Sequence, residues 1–95
     1  MTEHRVEREH GATKGRFVIR LGDEEAELTY SITTPSLIIA DHTGVPDSFR
    51  GTGAGLALVQ ALVAAARADG FKVVPLCPFV NATRKKHPEW ADAFV

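Results

Sequence analysis

The residues best placed to do chemistry begin with Arg50-Gly51-Thr52-Gly53-Ala54-Gly55, three glycines and an arginine directly ahead of an apolar, helix-like run. A glycine inside an element costs about 0.5–1 kcal/mol relative to alanine, so three together need a use. A glycine turn that opens a helix leaves unpaired amide N–H groups pointing outward with about +0.5 of a charge between them. It also has no Cβ to keep phosphate oxygens away, and Arg50 adds a fork of donors at the mouth. The plainer use is a turn and nothing more. Cys77 is the single cysteine. It closes an apolar segment and precedes a helix start, where a helix dipole favours thiolate over thiol; the plainer reading is a small buried hydrophobe. His42, next to Asp41, is a side chain suited to take a proton from an incoming ammonium, or simply a hydrogen-bonding member of a sheet. Arg84, Lys85, Lys86 and His87 form a basic cluster, whose default reading is a solvated face.

The loop is neither of two common phosphate motifs. It lacks the Lys-Ser/Thr pair of the mononucleotide P-loop. Counted from Gly51 or Gly53, the sixth position is Leu56 or Leu58, so the dinucleotide fingerprint fails as well.

Positioning these residues takes few elements. "RFVIRLG" alternates with Phe17, Ile19 and Leu21 on one face, and "AELTYSIT" with Ala26, Leu28, Tyr30 and Ile32, so the two form a hairpin across "GDEE". "SLIIADHTGV" supplies a third strand. From Gly53 a helical stripe runs through Leu56, Val59, Leu62, Val63 and Ala66 and ends at Gly70. "FKVVPLC" is a fourth strand, reached through the helix and therefore parallel to the third. Pro78 opens a short helix that Pro88 interrupts, and a final turn carries Trp90 and Phe94. The order is β-β-β-α-β-α, an α+β fold with a mixed sheet. The first ten residues are expected to be a loose end.

Composition narrows the classes. The chain has 95 residues, one domain's worth, and a formal net charge of −1. That balance gives no case for nucleic acid or an anionic membrane as partner. A lone cysteine and a charged leading segment without an apolar core point to the cytoplasm, and "NAT" at 81–83 reads as chance. No metal is expected.

Arg50-x-x-Gly53-x-Gly55 resembles the [QR]-x-x-G-x-[GA] pyrophosphate loop of the GNAT acetyltransferase superfamily, which opens the helix after that fold's splayed fourth strand. "HTGVP", "RGTGAGLALVQALVAAARADG" and "KVVPLCPFV…HPEW" look like its very small single-domain branch, which carries a cysteine after the fifth sheet strand. The likeness covers roughly residues 15–92. It implies acetyl-CoA or coenzyme A as ligand and acetyl transfer to a primary amine as activity. By the same resemblance, Arg50 to Gly55 hold the pyrophosphate and Val45 offers its backbone to the pantetheine arm. Asn81 reaches the pantetheine amides or caps its own helix, and Lys86 in the basic cluster meets the 3′-phosphate. Cys77 lies near the thioester, either as a covalent relay or lining the site while the amine attacks directly. Thr83 stands where many relatives carry a tyrosine that protonates the leaving thiolate, and a threonine hydroxyl is too weak an acid for that. "GDEE" also leaves no room for the helices that build the acceptor pocket in larger relatives, so this site is open, or completed by a partner or a second copy. A coenzyme-binding module with little turnover is the rival reading, and a phosphate-binding interaction domain a third.

Overall fold

The computed structural model describes residues 4–49 and 51–95. One five-stranded sheet runs in the order β1-β2-β3-β4-β5, with β1 at Glu7–His10, β2 at Lys14–Leu21, β3 at Glu24–Thr34, β4 at Leu37–Gly44 and β5 at Lys72–Val74. β1 to β4 are antiparallel neighbours, and β5 pairs parallel to β4. Helix α1 (Ala54–Asp69) makes the crossover, and α2 (Pro78–Lys85) and a 3-10 turn at Pro88–Ala93 complete the chain. The mixed sheet and the β-α-β crossover are those expected from the sequence. None of the described helices is long and apolar enough to cross a membrane.

Register divides the sheet into two unlike faces. Phe17, Ile19, Leu28, Tyr30, Ile38 and Ala40 face α1, where they form one core with Leu58, Val59, Leu62 and Val63. Burying each such aliphatic side chain contributes about 1.5–3 kcal/mol. The opposite face is a net of charges. Arg16 donates to Glu9, Glu25 and Glu27, and Arg20 donates to Glu7, Glu9 and Glu25. Val18 sits on this charged face between Glu7 and Glu27 in register, and it is fully buried without belonging to the core.

Three expectations are corrected. Glu7–His10 is a strand, not a loose end. Its polar residues hide the alternation, because one side belongs to the charge net and the other is held by Arg8. That guanidinium lies 5.4–5.9 Å from the ring centroids of Phe17, Tyr30 and Phe71 and pairs with Asp69 at the end of α1. Leu21 and Leu56 are exposed rather than buried. Leu56 lies two residues, about 200° of helix, from both Ala54 and Leu58, which do face the core. β5 is shorter than "FKVVPLC", because Pro75 has no N–H for a ladder and the chain turns there, with Leu76 N–H donating to Val74 O at 2.9 Å.

Candidate active site where β4 and β5 part

β4 and β5 pair only over Leu37–Ile39 and Lys72–Val74. A last bond, from Cys77 N–H to Ala40 O at 2.9 Å, joins them beyond that. From Asp41 to Gly44, β4 has β3 on one side and no described strand on the other. Its peptide groups on that side are therefore open to a ligand.

A bulge re-aims the strand at this point. Thr29 pairs with His42 but Tyr30 pairs with Ala40, so Asp41 is an extra residue. Before it, Ile38 and Ala40 face the core; after it, Thr43 does, in register with Leu28. Thr43 Oγ1 thus comes to 3.3 Å from Cys77 Sγ. Simple alternation from Ile38 and Ala40 would have put His42 there instead. Thr43 is the site residue that the sequence reading missed, because no local signal marks the bulge.

Cys77 is buried and occupies the N-cap of α2 with no side-chain capping bond, while Pro78 starts the helix. His42 is exposed, and its register partners are Thr29, Arg16 and Glu9, on the charged face turned away from Cys77. On that face an open groove of about 580 Å³ is lined by residues including Glu9, Lys14, Arg16, Thr29 and Asp41. The Asp41 carboxylate accepts from Ser31 Oγ at 2.6 Å.

The glycine loop opens α1, whose first turn meets that of α2 where Gly55 lies against Phe79. Arg50 lies outside the described residues. Gly51 and Gly53 have φ of 78° and 77°, left-handed values that suit glycine. Thr52 N–H and Oγ1 both donate to Phe49 O, at 3.1 and 2.6 Å, and Ala54 N–H reaches Thr52 Oγ1 at 3.3 Å. The amides of Gly53, Gly55 and Leu56 donate to no described residue, and among the described residues the first amide of the helix to reach a backbone carbonyl is that of Ala57, to Gly53 O. Backbone amides left without a described acceptor beside left-handed residues make an anion-binding concavity. Ala54 turns its methyl into the core. Gly55 has a second use: a Cβ there would sit 2.6 Å from the ring of Phe79, so the first turns of α1 and α2 touch at this point. Val45, Leu56, Leu76 and Phe79, all exposed, give these segments apolar side chains at the surface.

The remaining expected residues are spread along α2. Asn81 is half-buried, and its Oδ1 accepts from Arg84 Nε at 2.9 Å. Thr83 is buried. Lys86 is exposed at the end of α2 opposite Cys77. His87, in the same basic cluster, stacks on Trp90 with ring centroids 4.1 Å apart and pairs with Glu89. The structure therefore brings Thr43 to Cys77 and Gly55 to Phe79, two residues after Cys77, while Val45 follows the end of β4. It puts His42 on the other face and Lys86 at the far end of a helix.

Among known proteins, residues 16–93 match the family described as GCN5-related N-acetyl-transferase. The solution structure of a GCN5-like candidate N-acetyltransferase from Staphylococcus aureus is 32% identical and superposes with a TM-score of 0.72, over 100% of this chain and 91% of that one. No curated protein matches.

Proposed function

Because the chain belongs to the GCN5-related N-acetyltransferase family, we propose that it moves an acetyl group from acetyl-CoA to a primary amine in the gap between β4 and β5. One observation carries this reading: the amides of Gly53, Gly55 and Leu56 have no acceptor among the described residues, and Gly55 lies against Phe79, two residues after Cys77. In this account those amides and Arg50 take the pyrophosphate. The pantetheine arm pairs with the open side of β4 near Val45, as an added strand would, and is flanked by the apolar side chains of Leu76 and Phe79. Its thioester then ends beside Thr43 and Cys77. Backbone donors of β4 polarise the thioester carbonyl, in the manner of an oxyanion hole.

The amine enters from the helix-free face, along the groove of Glu9, Lys14 and Asp41, and His42, exposed on that face, takes the ammonium proton before the amine reaches the thioester. Two routes share this geometry. In direct transfer the amine nitrogen bonds to the carbonyl carbon, the bond to the coenzyme sulfur breaks, and the proton the nitrogen sheds as the amide forms goes to that sulfur. In the relay, Cys77 Sγ makes that bond first, its proton going to the coenzyme sulfur, and the amine then displaces Sγ and returns a proton to it. The rival reading, a coenzyme-binding module, draws support from the buried Thr83 where a phenolic acid would serve.

Mass spectrometry of the protein after incubation with acetyl-CoA, together with amine-dependent CoA release by wild type and Cys77→Ala, separates these. The relay leaves one acetyl group on Cys77 and loses turnover in the variant. Direct transfer leaves no adduct and keeps turnover. Background release from both proteins with every amine, and no adduct, would contradict acetyl transfer and favour the binding module.

A further inference from the structure

We propose that His4 is a positioning residue for the phosphate-binding loop, an inference that rests on the coenzyme reading above. His4 Nε2 lies 2.5 Å from the carbonyl oxygen of Thr52, with 48 positions of sequence between them. A carbonyl only accepts, so the imidazole donates. Thr52 is already pinned on its leading side, where its amide and its hydroxyl both hold Phe49 O. The peptide that joins Thr52 to Gly53 is held, among the described residues, by His4 alone.

That peptide matters because a trans peptide points its C=O and N–H in opposite directions. Fixing Thr52 C=O toward His4 therefore aims Gly53 N–H away from His4, toward the anion-binding concavity assigned above to the amides of Gly53, Gly55 and Leu56. Gly53, at φ 77°, offers little resistance to rotation of this plane, and such a rotation is what interconverts common turn types. Without the tether the Gly53 donor would be lost from the concavity for part of the time. His4 is delivered from an anchored segment: Val6 packs against the core, and β1 begins at Glu7.

The experiment is a calorimetric titration of CoA and of pantetheine, which lacks the pyrophosphate, into wild type, His4→Ala and His4→Gln. Glutamine carries an N–H at nearly the place of Nε2. His4→Ala is expected to bind CoA about five- to tenfold more weakly, the size of one hydrogen bond. Pantetheine affinity should be unchanged, any fall in thermal midpoint should be no more than the loss of one hydrogen bond gives, and His4→Gln should recover most of the loss. In the free proteins, the Gly53 amide signal should move in His4→Ala and return in His4→Gln. Equal CoA affinity in wild type and His4→Ala overturns the brace alone and leaves the coenzyme reading standing. A parallel loss of pantetheine affinity also overturns it, by showing a general effect. Absence of CoA binding to wild type overturns the coenzyme reading, and the role of His4 with it.

Discussion

The two ends of α1 share a backbone conformation and use it for opposite purposes. Gly53, ahead of the helix, has φ 77° and ψ 17°; Gly70, after it, has φ 77° and ψ 28°. At the far end the conformation closes the helix. The amides of Gly70 and Phe71 both return to Ala66 O, at 2.9 and 3.1 Å, Asp69 is paired to Arg8, and Arg67 to Asp92. At the near end it does the reverse. No side chain caps Gly53, the first turn has no acidic residue, and three amides are left without a described acceptor. A helix start normally satisfies its amides with a Ser, Thr, Asp or Asn cap worth about 1 kcal/mol. Forgoing that cap leaves amides for the proposed ligand, a use that a merely structural turn would not have.

Substituting the two glycines tests the contrast most severely. Gly53→Val forces a β-branched residue into a left-handed conformation, at a cost of about 1–3 kcal/mol. The loop should relax and CoA affinity fall by about thirtyfold or more in calorimetry. Gly70→Ala meets the same backbone penalty, about 1–2 kcal/mol, with nothing within 4 Å of the new methyl. It should lower the thermal midpoint and leave CoA affinity unchanged. Equal effects of the two variants on binding would erase the distinction between the ends.

A smaller effect concerns acid. The Arg67 guanidinium holds the Asp92 carboxyl below its usual range. A folded-state value below the unfolded one stabilises at pH above the unfolded value, about 3.9 for aspartate, and that stabilisation fades as pH falls through the lower folded value. Both groups are exposed, so the contribution is slight. Thermal midpoints read from pH 5 down to pH 3 should fall a little further in wild type than in Arg67→Met, whose Asp92 has no guanidinium to lose. Identical slopes would remove this pair from what closes the far end.

What could be read from the sequence was what is local. The left-handed glycines at 51 and 53, the stripe of α1 apart from Leu56, and the αL cap at Gly70 are each set by residues close together in sequence, and these stand in the structure. The GNAT resemblance also held a hint that the alternation did not: it calls for a cysteine after a fifth strand, whereas the pattern showed four. β1 is the missing one, concealed because Glu7 and Glu9 join a charge net and Arg8 lies over aromatic rings. Thr43 and His4 were out of reach for a different reason. The first depends on a bulge at Asp41, the second on a contact spanning half the chain, and neither leaves a mark in its neighbourhood of sequence. The bulge likewise explains why His42, next to Thr43, faces away from Cys77.

The most direct test of the account is an amide chemical-shift titration of the isotope-labelled protein with CoA. The largest displacements should fall on Gly53, Gly55 and Leu56, with Thr43 and Cys77 next and Gly70 and Phe71 unmoved. A titration that saturates with the amides of residues 53, 55 and 56 in place would contradict the central claim, that the uncapped start of α1 is where the diphosphate is held.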